Sequence, residues 1–263
     1  LAALELWQRF ESVSEIGPIV LLHFGSILQA TSSLVFAAMS IQESESASFP
    51  RSERNRPQRS PKRVAFEREP IYAVIDAAPI CHVGFVGPDG QPFVIPTIHA
   101  RSGDTLLFHG STQSRLLQAI ASGQRICVTF TFLDGIVAAR SAMHHSMNYR
   151  SVVAFGTGSL LEDETERWEA FRLTVEKLLP GRWAQCRQPN DAESKATAIA
   201  ALRIEEATLK KREGPPSDIE SDYDGPHWAG VLPIETRFVA PAPDPRLPVD
   251  IVIPDHINAL VRR

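Results

Sequence analysis

The chain has 263 residues, which is long for one ordinary domain and short for two, so one domain with appendages is expected. Its 27 Lys and Arg residues against 31 Asp and Glu residues leave a net charge of −4, so neither nucleic acid nor a membrane surface is expected as a partner. Cys81, Cys127 and Cys186 are far apart and form no Cys-x-x-Cys pair, which argues against a disulfide framework and a zinc knuckle. A reducing, cytoplasmic setting is the simplest interpretation.

Residues 1–65 are predicted to be a flexible extension. The apolar run at 17–39 is long enough to span a membrane, but polar side chains interrupt it and acidic residues precede it, where a signal peptide has positive charge. An amphipathic or poorly structured segment is expected instead. Met39 precedes a polar stretch of the kind that opens many bacterial proteins, so one hypothesis is that residues 1–38 come from an over-extended gene model or are dispensable. The basic, proline-rich segment 51–63 is typical of a solvated chain.

Folded structure is predicted to begin near Phe66 with a helix, because apolar residues share one helical face until Pro79 stops it. The pattern then changes to β-branched and aromatic runs at 80–86 and 92–100, which a "GPDGQ" turn joins into a hairpin. A third strand is predicted at 105–110.

A short helix is predicted over 111–124, with Ser111 or Thr112 as its cap. Two further helices are predicted, one that Asp163 opens and another near 191–196. Strands are predicted in the segments "RICVTFTFLDG", "IVAARSA", "RSVVAFGTGSLLED", "ALRIEEATLKKR" and "WAGVLPIETRF". About six strands joined mostly by hairpins indicate a mainly β fold, an antiparallel barrel with peripheral helices.

The domain organisation follows from these elements. The folded domain is assigned to residues 66–240. Residues 241–263 form a proline-rich tail that is expected to wrap the surface rather than build core.

The stretch "MHHSMNYRSVVAFG" carries the densest set of reactive side chains. Its adjacent His144 and His145 point to opposite faces of a strand or lie about 100° apart on a helix, so they cannot easily share a metal ion. No other metal-ligand motif supplies further ligands, and no metal is expected. The serines stand in no Gly-x-Ser-x-Gly elbow, so nucleophilic hydrolysis is not indicated either.

A phosphate site has a physical mechanism. In "LLFHGSTQSRLL" a strand ends in glycine and gives way to a helix start that carries hydroxyls and Arg115. Free amides, the positive end of the helix and a guanidinium all favour an anion. Arg150, with Tyr149 and Ser151, would add a second basic contact if its strand lies beside that helix start.

Several segments together resemble one family. They are "HVGFVGPDGQPFVIPTIHARSGDTLLFHGSTQSRLLQAI", "DGIVAARSAMHHSMNYRSVVAFG", "LLPGRW" and "REGPP…HWAGVLPI". The chain is identified from them as similar to the flavin-binding branch of the pyridoxamine 5′-phosphate oxidase-like superfamily. The resemblance covers roughly residues 66 to 240 and implies a six-stranded split β-barrel and a homodimer with one FMN in each of two clefts at the dimer interface.

Carried over by position, the resemblance implies a set of flavin contacts that follow the chain from one strand to the next. Those expected along the isoalloxazine or ribityl chain are Pro96, Thr97 and His99. Those expected at the ribityl and phosphate end are His109, Gly110, Ser111, Ser114 and Arg115. The cleft is expected to be completed by Tyr149, Arg150 and Ser151, from the same chain or from the partner subunit.

The function expected from this resemblance is that of an FMN-dependent oxidoreductase acting on a small molecule. "VIPTIHA" holds no arginine where true pyridoxamine 5′-phosphate oxidases have an arginine-rich strand, so vitamin B6 oxidation is not expected. His99, His145 and Tyr149 are the candidates for proton donation or a flavin hydrogen bond. NAD(P)H is expected, if at all, as a transiently docked reductant.

The alternative is a protein that binds flavin or haem without turnover, as a sensor, store or carrier. Haem requires only an axial histidine. His99, His109, His144 and His145 keep this alternative open.

Overall fold

The computed structural model describes residues 47–261 of the chain. The apolar run at 17–39 and the hypothesis about residues 1–38 therefore lie outside the described residues. Within 47–261, no helix combines the length and the apolar character that crossing a membrane requires.

Nine strands form one antiparallel sheet in the described part of the chain, where the sequence predicted about six. They are β1 (Val64–Ala65), β2 (Cys81–Val86), β3 (Pro92–Thr97), β4 (Ala100–Ser102), β5 (Thr105–Ser111), β6 (Ile126–Ala138), β7 (Ser146–Leu160), β8 (Thr197–Arg212) and β9 (Gly230–Pro233). The order is β3-β2-β6-β7-β8-β5-β4, with β1 on β8 and β9 on β6. No pairing joins β3 to β4 among the described residues, so the sheet is open, as in a split barrel.

The difference in strand number has a physical cause. β1 and β4 are two and three residues long and exist only because a longer strand pairs with them, so they leave no periodic pattern in the sequence. β9 lies within the predicted strand segment "WAGVLPIETRF" but spans only four of its residues. Conversely, two segments that the sequence predicted as separate strands, "RICVTFTFLDG" and "IVAARSA", contribute to the single strand β6. The predicted break at Asp134–Gly135 is wrong, because the pairing with β7 continues past a register shift between Leu133 and Gly135.

The helices are α1 (Arg68–Ala77), α2 (Arg115–Ala121), α3 (Glu164–Leu178), α4 (Asp191–Ala196) and α5 (Asp255–Val261). The predicted apolar face of α1 is confirmed, since Ile71, Val74 and Ile75 are buried. Asp163 caps α3 as predicted, accepting a hydrogen bond from the Glu166 amide at 2.9 Å. The predicted helix over 111–124 is wrong at its start, because Ser114 is the cap of α2 and residues 112–113 form a turn.

The main core lies between the inner face of the sheet and helices α1 and α2. Alternate residues of β6 and β7, such as Phe130 and Val152, point into it, as the period of two predicts. A smaller cluster, which contains Leu107 of β5 and Ala170 of α3, fixes α3 against β5 and β8. The opposite, outer face of β2, β3 and β6 stays exposed, with Val94 at 68% exposure.

Packing begins before Phe66, where the sequence analysis placed the start of folded structure. Phe49 is only 2% exposed and belongs to the main core. Ser52 donates a hydrogen bond to Glu206 at 2.5 Å, and Thr208 donates one to the Asn55 carbonyl. Phe49 thus adds to the core, and Ser52 and Asn55 contact β8. Polar contacts to strands far along the chain hold them, which no local sequence pattern shows.

Candidate functional site

The segment from His109 to Arg115 leads from β5 into α2. Ser111 accepts a hydrogen bond from the Gln113 amide at 3.2 Å, and Ser114 caps α2 by accepting one from the Leu117 amide at 3.5 Å. The two hydroxyls therefore serve local backbone amides. Arg115 is the one cation in this segment, and its side chain is exposed.

Arg115 lies in a cleft of about 720 Å³ between α2 and the β2–β3 hairpin. Its guanidinium carbon is 5.6 Å from the centre of the Phe93 ring, and Phe93 stacks on Phe85 with ring centres 5.4 Å apart. Within residues 47–261 no carboxylate forms an ion pair with Arg115. An uncommitted cation beside two rings can hold an anionic group that is attached to a flat ligand.

Four other predicted flavin contacts lie in different surroundings. His109 pairs with Ile199 in the sheet and is half-buried, and burial lowers the pKa of its imidazole. A Cβ at Gly110 would lie 3.5 Å from Leu117, an ordinary contact, so close packing does not require glycine there. Pro96 is exposed on the outer face, and Thr97 is half-buried opposite Cys81.

His99 does not lie with the other predicted site residues. It is 1% exposed, its Nε2 is 2.9 Å from the Ile75 carbonyl, and its ring meets Phe130 edge-on at 4.8 Å. Burial lowers the pKa of His99 to about 4, so the imidazole is neutral at physiological pH. Its Nδ1 has no hydrogen-bond partner within the described chain. The structure thus places His99 in the core rather than in an open cleft.

Tyr149, Arg150 and Ser151 lie at the start of β7. Arg150 is paired with Asp134, with Nε 2.9 Å from Oδ2 and Nη2 2.7 Å from Oδ1. The hydrogen bond to Asp134 raises the pKa of Arg150. Ser151 donates to the Lys210 carbonyl at 3.3 Å. In this chain Arg150 is therefore committed to a carboxylate, unlike Arg115.

The two predicted halves of the cleft do not meet within one chain. Ser111 pairs with Thr197 at one end of β8, and Tyr149 pairs with Arg212 at the other end. Thr197 and Arg212 are fifteen positions apart, which corresponds to roughly 50 Å along an extended strand. Arg150 therefore does not lie beside the start of α2 within one chain, although the other end of its strand packs against α2.

The adjacent histidines both contact Ser141, through different atoms. His144 Nδ1 is 2.7 Å from the Ser141 hydroxyl, and His145 Nδ1 is 3.0 Å from the Ser141 carbonyl. His144 also lies in a group with Asp218 and Asp222 whose potential metal-ligand atoms are all within 4.8 Å of one another.

That group is already in use for structure. Asp218 accepts hydrogen bonds from the Arg140 amide, at 3.1 and 3.2 Å, and from the Arg140 guanidinium at 3.2 Å. Its aspartates follow His144 by more than 70 positions, so no local ligand spacing in the sequence indicates this group.

Sequence reasoning also missed the partners that position the β7 motif. Asn148 accepts a hydrogen bond from Arg212, whose guanidinium also donates to the carbonyls of Gly214, at 3.3 Å, and Pro215, at 3.0 Å. Arg212 is buried, so these acceptors solvate it inside the protein. The signals for this network are the asparagine of "HHSMNYRS" and the arginine of "REGPP", but nothing in either segment indicates that they meet.

A sequence model of the family described as pyridoxamine 5′-phosphate oxidase matches residues 67–211. Among solved structures, the flavocytochrome Anf3 from Azotobacter vinelandii is 42% identical, with 80% of this chain and 97% of that chain covered and a TM-score of 0.75. The FAD and heme binding protein from Mycobacterium smegmatis is 35% identical, with 76% and 97% covered and a TM-score of 0.72. A comparison with curated proteins found no match.

Proposed function

This chain belongs to the pyridoxamine 5′-phosphate oxidase family, and we propose that it is a flavin-binding protein that also binds haem and transfers electrons between the two. The observation that carries the flavin part is Arg115, an uncommitted cation in an open cleft beside the stacked rings of Phe85 and Phe93. A flavin nucleotide combines a phosphate with a flat aromatic ring, and this cleft offers a partner for each.

The flavin that we propose is FAD. The resemblance of the sequence motifs implied FMN, but the relative from Mycobacterium smegmatis, 35% identical over nearly its whole length, is described as binding FAD and heme. The 42% identical relative is a flavocytochrome. These two descriptions favour the haem alternative over a protein that binds flavin alone.

A bound flavin would supply two-electron chemistry and a bound haem one-electron transfer. The protein's own residues would hold and orient these groups. Arg115 would neutralise phosphate charge, and Tyr149 is the half-exposed group that remains as a candidate for moving a proton. His99 is not part of this proposal, because it is enclosed in the core. A small-molecule substrate and NAD(P)H as reductant remain sequence-based proposals.

We propose further that the site is completed in a homodimer. The separation of Ser111 from Tyr149 along β8 supports this, because a two-fold-related copy could bring its own Tyr149 segment to the Arg115 cleft. The exposed apolar outer face of β2 and β3, which includes Val86 and Val94, would be covered in such a dimer. Measuring the mass in solution tests this, and a monomer with full flavin content would overturn it.

The proposed function is tested by purifying the full chain and recording its absorption spectrum before and after adding FAD, FMN and haemin. We expect flavin absorption with tighter binding of FAD than of FMN, and a Soret band after haemin is added. Heat-released flavin identified by chromatography shows which nucleotide the protein retains. Failure to bind any flavin would overturn the flavin proposal, and flavin binding without a Soret band would overturn the haem part alone.

A further inference from the structure

We propose that His145 supplies an axial ligand to haem through its Nε2 atom, an inference that rests on the haem part of the proposed function. His145 follows the 3-10 turn Ala142–His144 and directly precedes β7. Its side chain is exposed.

The orientation of the ring is the first argument. His145 Nδ1 is 3.0 Å from the Ser141 carbonyl oxygen, and a carbonyl can only accept a hydrogen bond. Nδ1 must therefore carry the proton, and in the neutral imidazole the lone pair then lies on Nε2. Histidines that bind metals are commonly held in this way, with the other ring nitrogen donating to a carbonyl or a carboxylate.

The second argument is the surface next to His145. Ile136 pairs with Met147 on one side and with Leu232 on the other, and paired residues of neighbouring strands point to the same face. Ile136 is 43% exposed, and Met147 and Leu232 are each 50% exposed. We call these three residues the Met147 face. His145 lies two residues before Met147. Because side chains along an extended chain alternate between two faces, the His145 side chain points to the same side as that of Met147.

The Met147 face is bordered by a large aromatic ring. Trp228 is 68% exposed, and its ring lies so close to Gly230 that a Cβ there would be 2.8 Å from it. Gly230 and Leu232 are alternate residues of β9, so the tryptophan stands beside the face. An exposed apolar surface edged by an aromatic ring and an oriented imidazole offers a porphyrin both apolar contact and a ligand for its iron.

The other histidines of the described chain are less suitable. His227 is exposed next to Trp228, but no hydrogen bond orients its ring within residues 47–261, and both ring nitrogens of His256 are enclosed. His99 is enclosed in the core, and His109 is half-buried at the opposite end of the sheet, beside α2. His144 is half-buried with its Nδ1 bound to Ser141, in the group that contains the carboxylate of Asp218. His82 is exposed on β2, but no hydrogen bond orients its ring within residues 47–261.

The test is a haemin titration of the full-length wild-type protein and of His145→Ala, followed through the Soret band, with flavin content measured in each sample. We expect His145→Ala to lower haem affinity at least tenfold and to change the Soret position while the flavin stays bound. Adding imidazole to His145→Gly should restore the wild-type band, because free imidazole can occupy the vacated ligand position. This rescue separates lost ligation from a folding defect.

His144→Ala and His82→Ala are the matched controls, since each removes one neighbouring or exposed imidazole. We expect both to bind haem within about twofold of wild type. Wild-type affinity and an unchanged Soret band in His145→Ala would overturn the assignment, and so would loss of the band in His82→Ala or His144→Ala alone. If wild type itself shows no Soret band, the proposed haem function fails. If wild type binds haem but His145→Ala binds it equally well, only the assignment of His145 fails.

Discussion

Arg150 and Asp134 form a two-point ion pair near the β6–β7 bulge, with nitrogen–oxygen distances of 2.9 and 2.7 Å. Arg150 also lies over the ring of Phe132 at 4.5 Å. This pairing accounts for an arginine that the sequence motif alone assigned to the cofactor. It also distinguishes Arg150 from Arg115, which has no carboxylate partner in the described chain.

The first prediction concerns the coupling between Arg150 and Asp134. Both side chains are about one-third exposed, so solvent weakens the pair, and we expect a double-mutant cycle with alanine to give a coupling of about 0.2–1 kcal/mol in unfolding free energy. Urea denaturation of the four proteins measures it. We also expect Arg150→Ala to weaken flavin binding less than Arg115→Ala does; the reverse order would show that Arg150 leaves Asp134 to hold the cofactor.

The second prediction concerns Arg115. If it holds flavin phosphate, Arg115→Ala should weaken flavin binding by about 1.5–3 kcal/mol, the usual contribution of a hydrogen bond to a charged group. Fluorescence titration with FAD measures the affinity. Arg125→Ala is the control, because Arg125 follows α2 closely but is already paired with Glu205 at 3.1 Å. Equal losses of flavin affinity in Arg115→Ala and Arg125→Ala would show that the overall positive charge, rather than a contact from Arg115 to the phosphate, determines binding.

The third prediction is that stability falls in acid because of His99. In the unfolded chain this imidazole takes up a proton at its ordinary pKa of 6.5, but in the folded chain burial lowers the pKa to about 4. Between these values the unfolded state holds the extra proton, so the unfolding free energy decreases as pH falls from 6.5 towards 4, by at most about 1.4 kcal/mol per pH unit.

His99→Gln should flatten this decrease, because glutamine does not titrate and its amide can still donate to the Ile75 carbonyl. Burial also lowers the pKa of His109. The unfolding free energy of His99→Gln should therefore still decrease as pH falls, but less steeply than that of wild type. Denaturant melts at several pH values between 7 and 4 give the slopes. Parallel curves for wild type and His99→Gln would contradict the assignment.

The fourth prediction concerns Gly156, which follows a register shift between β7 and β8. A Cβ at this position would lie 1.8 Å from the Arg203 carbonyl oxygen, so Gly156→Ala must displace backbone and should destabilise the fold by about 1–3 kcal/mol. Gly84→Ala is the matched control, because its nearest contact would be an ordinary 3.6 Å from Cys127. Thermal or urea melts measure the stability of both variants. Equal losses of stability would mean that the strand propensity of alanine, rather than crowding against Arg203, determines the effect.

Much of the fold could be predicted from local patterns. The apolar face of α1, the cap of α3 and the alternation along β6 and β7 each depend on residues two to four positions apart, and the structure confirms them. The motifs from "HVGFV" to "HHSMNYRS" were enough to indicate the family, which the match over residues 67–211 shows. The short strands β1 and β4 and the bulge in β6 could not be predicted, because pairing with another strand creates them.

The candidate site divides in the same way. By itself the sequence determined which residue types could bind a flavin phosphate or a haem iron, because that chemistry belongs to the side chains of Arg115, Tyr149 and His145. Only the tertiary structure decided that His99 is enclosed, that Arg150 is paired with Asp134, and that the Ser111 and Tyr149 segments lie at opposite ends of β8. The physical reason is that burial, ion pairing and register depend on contacts between distant parts of the chain, which no local spacing encodes.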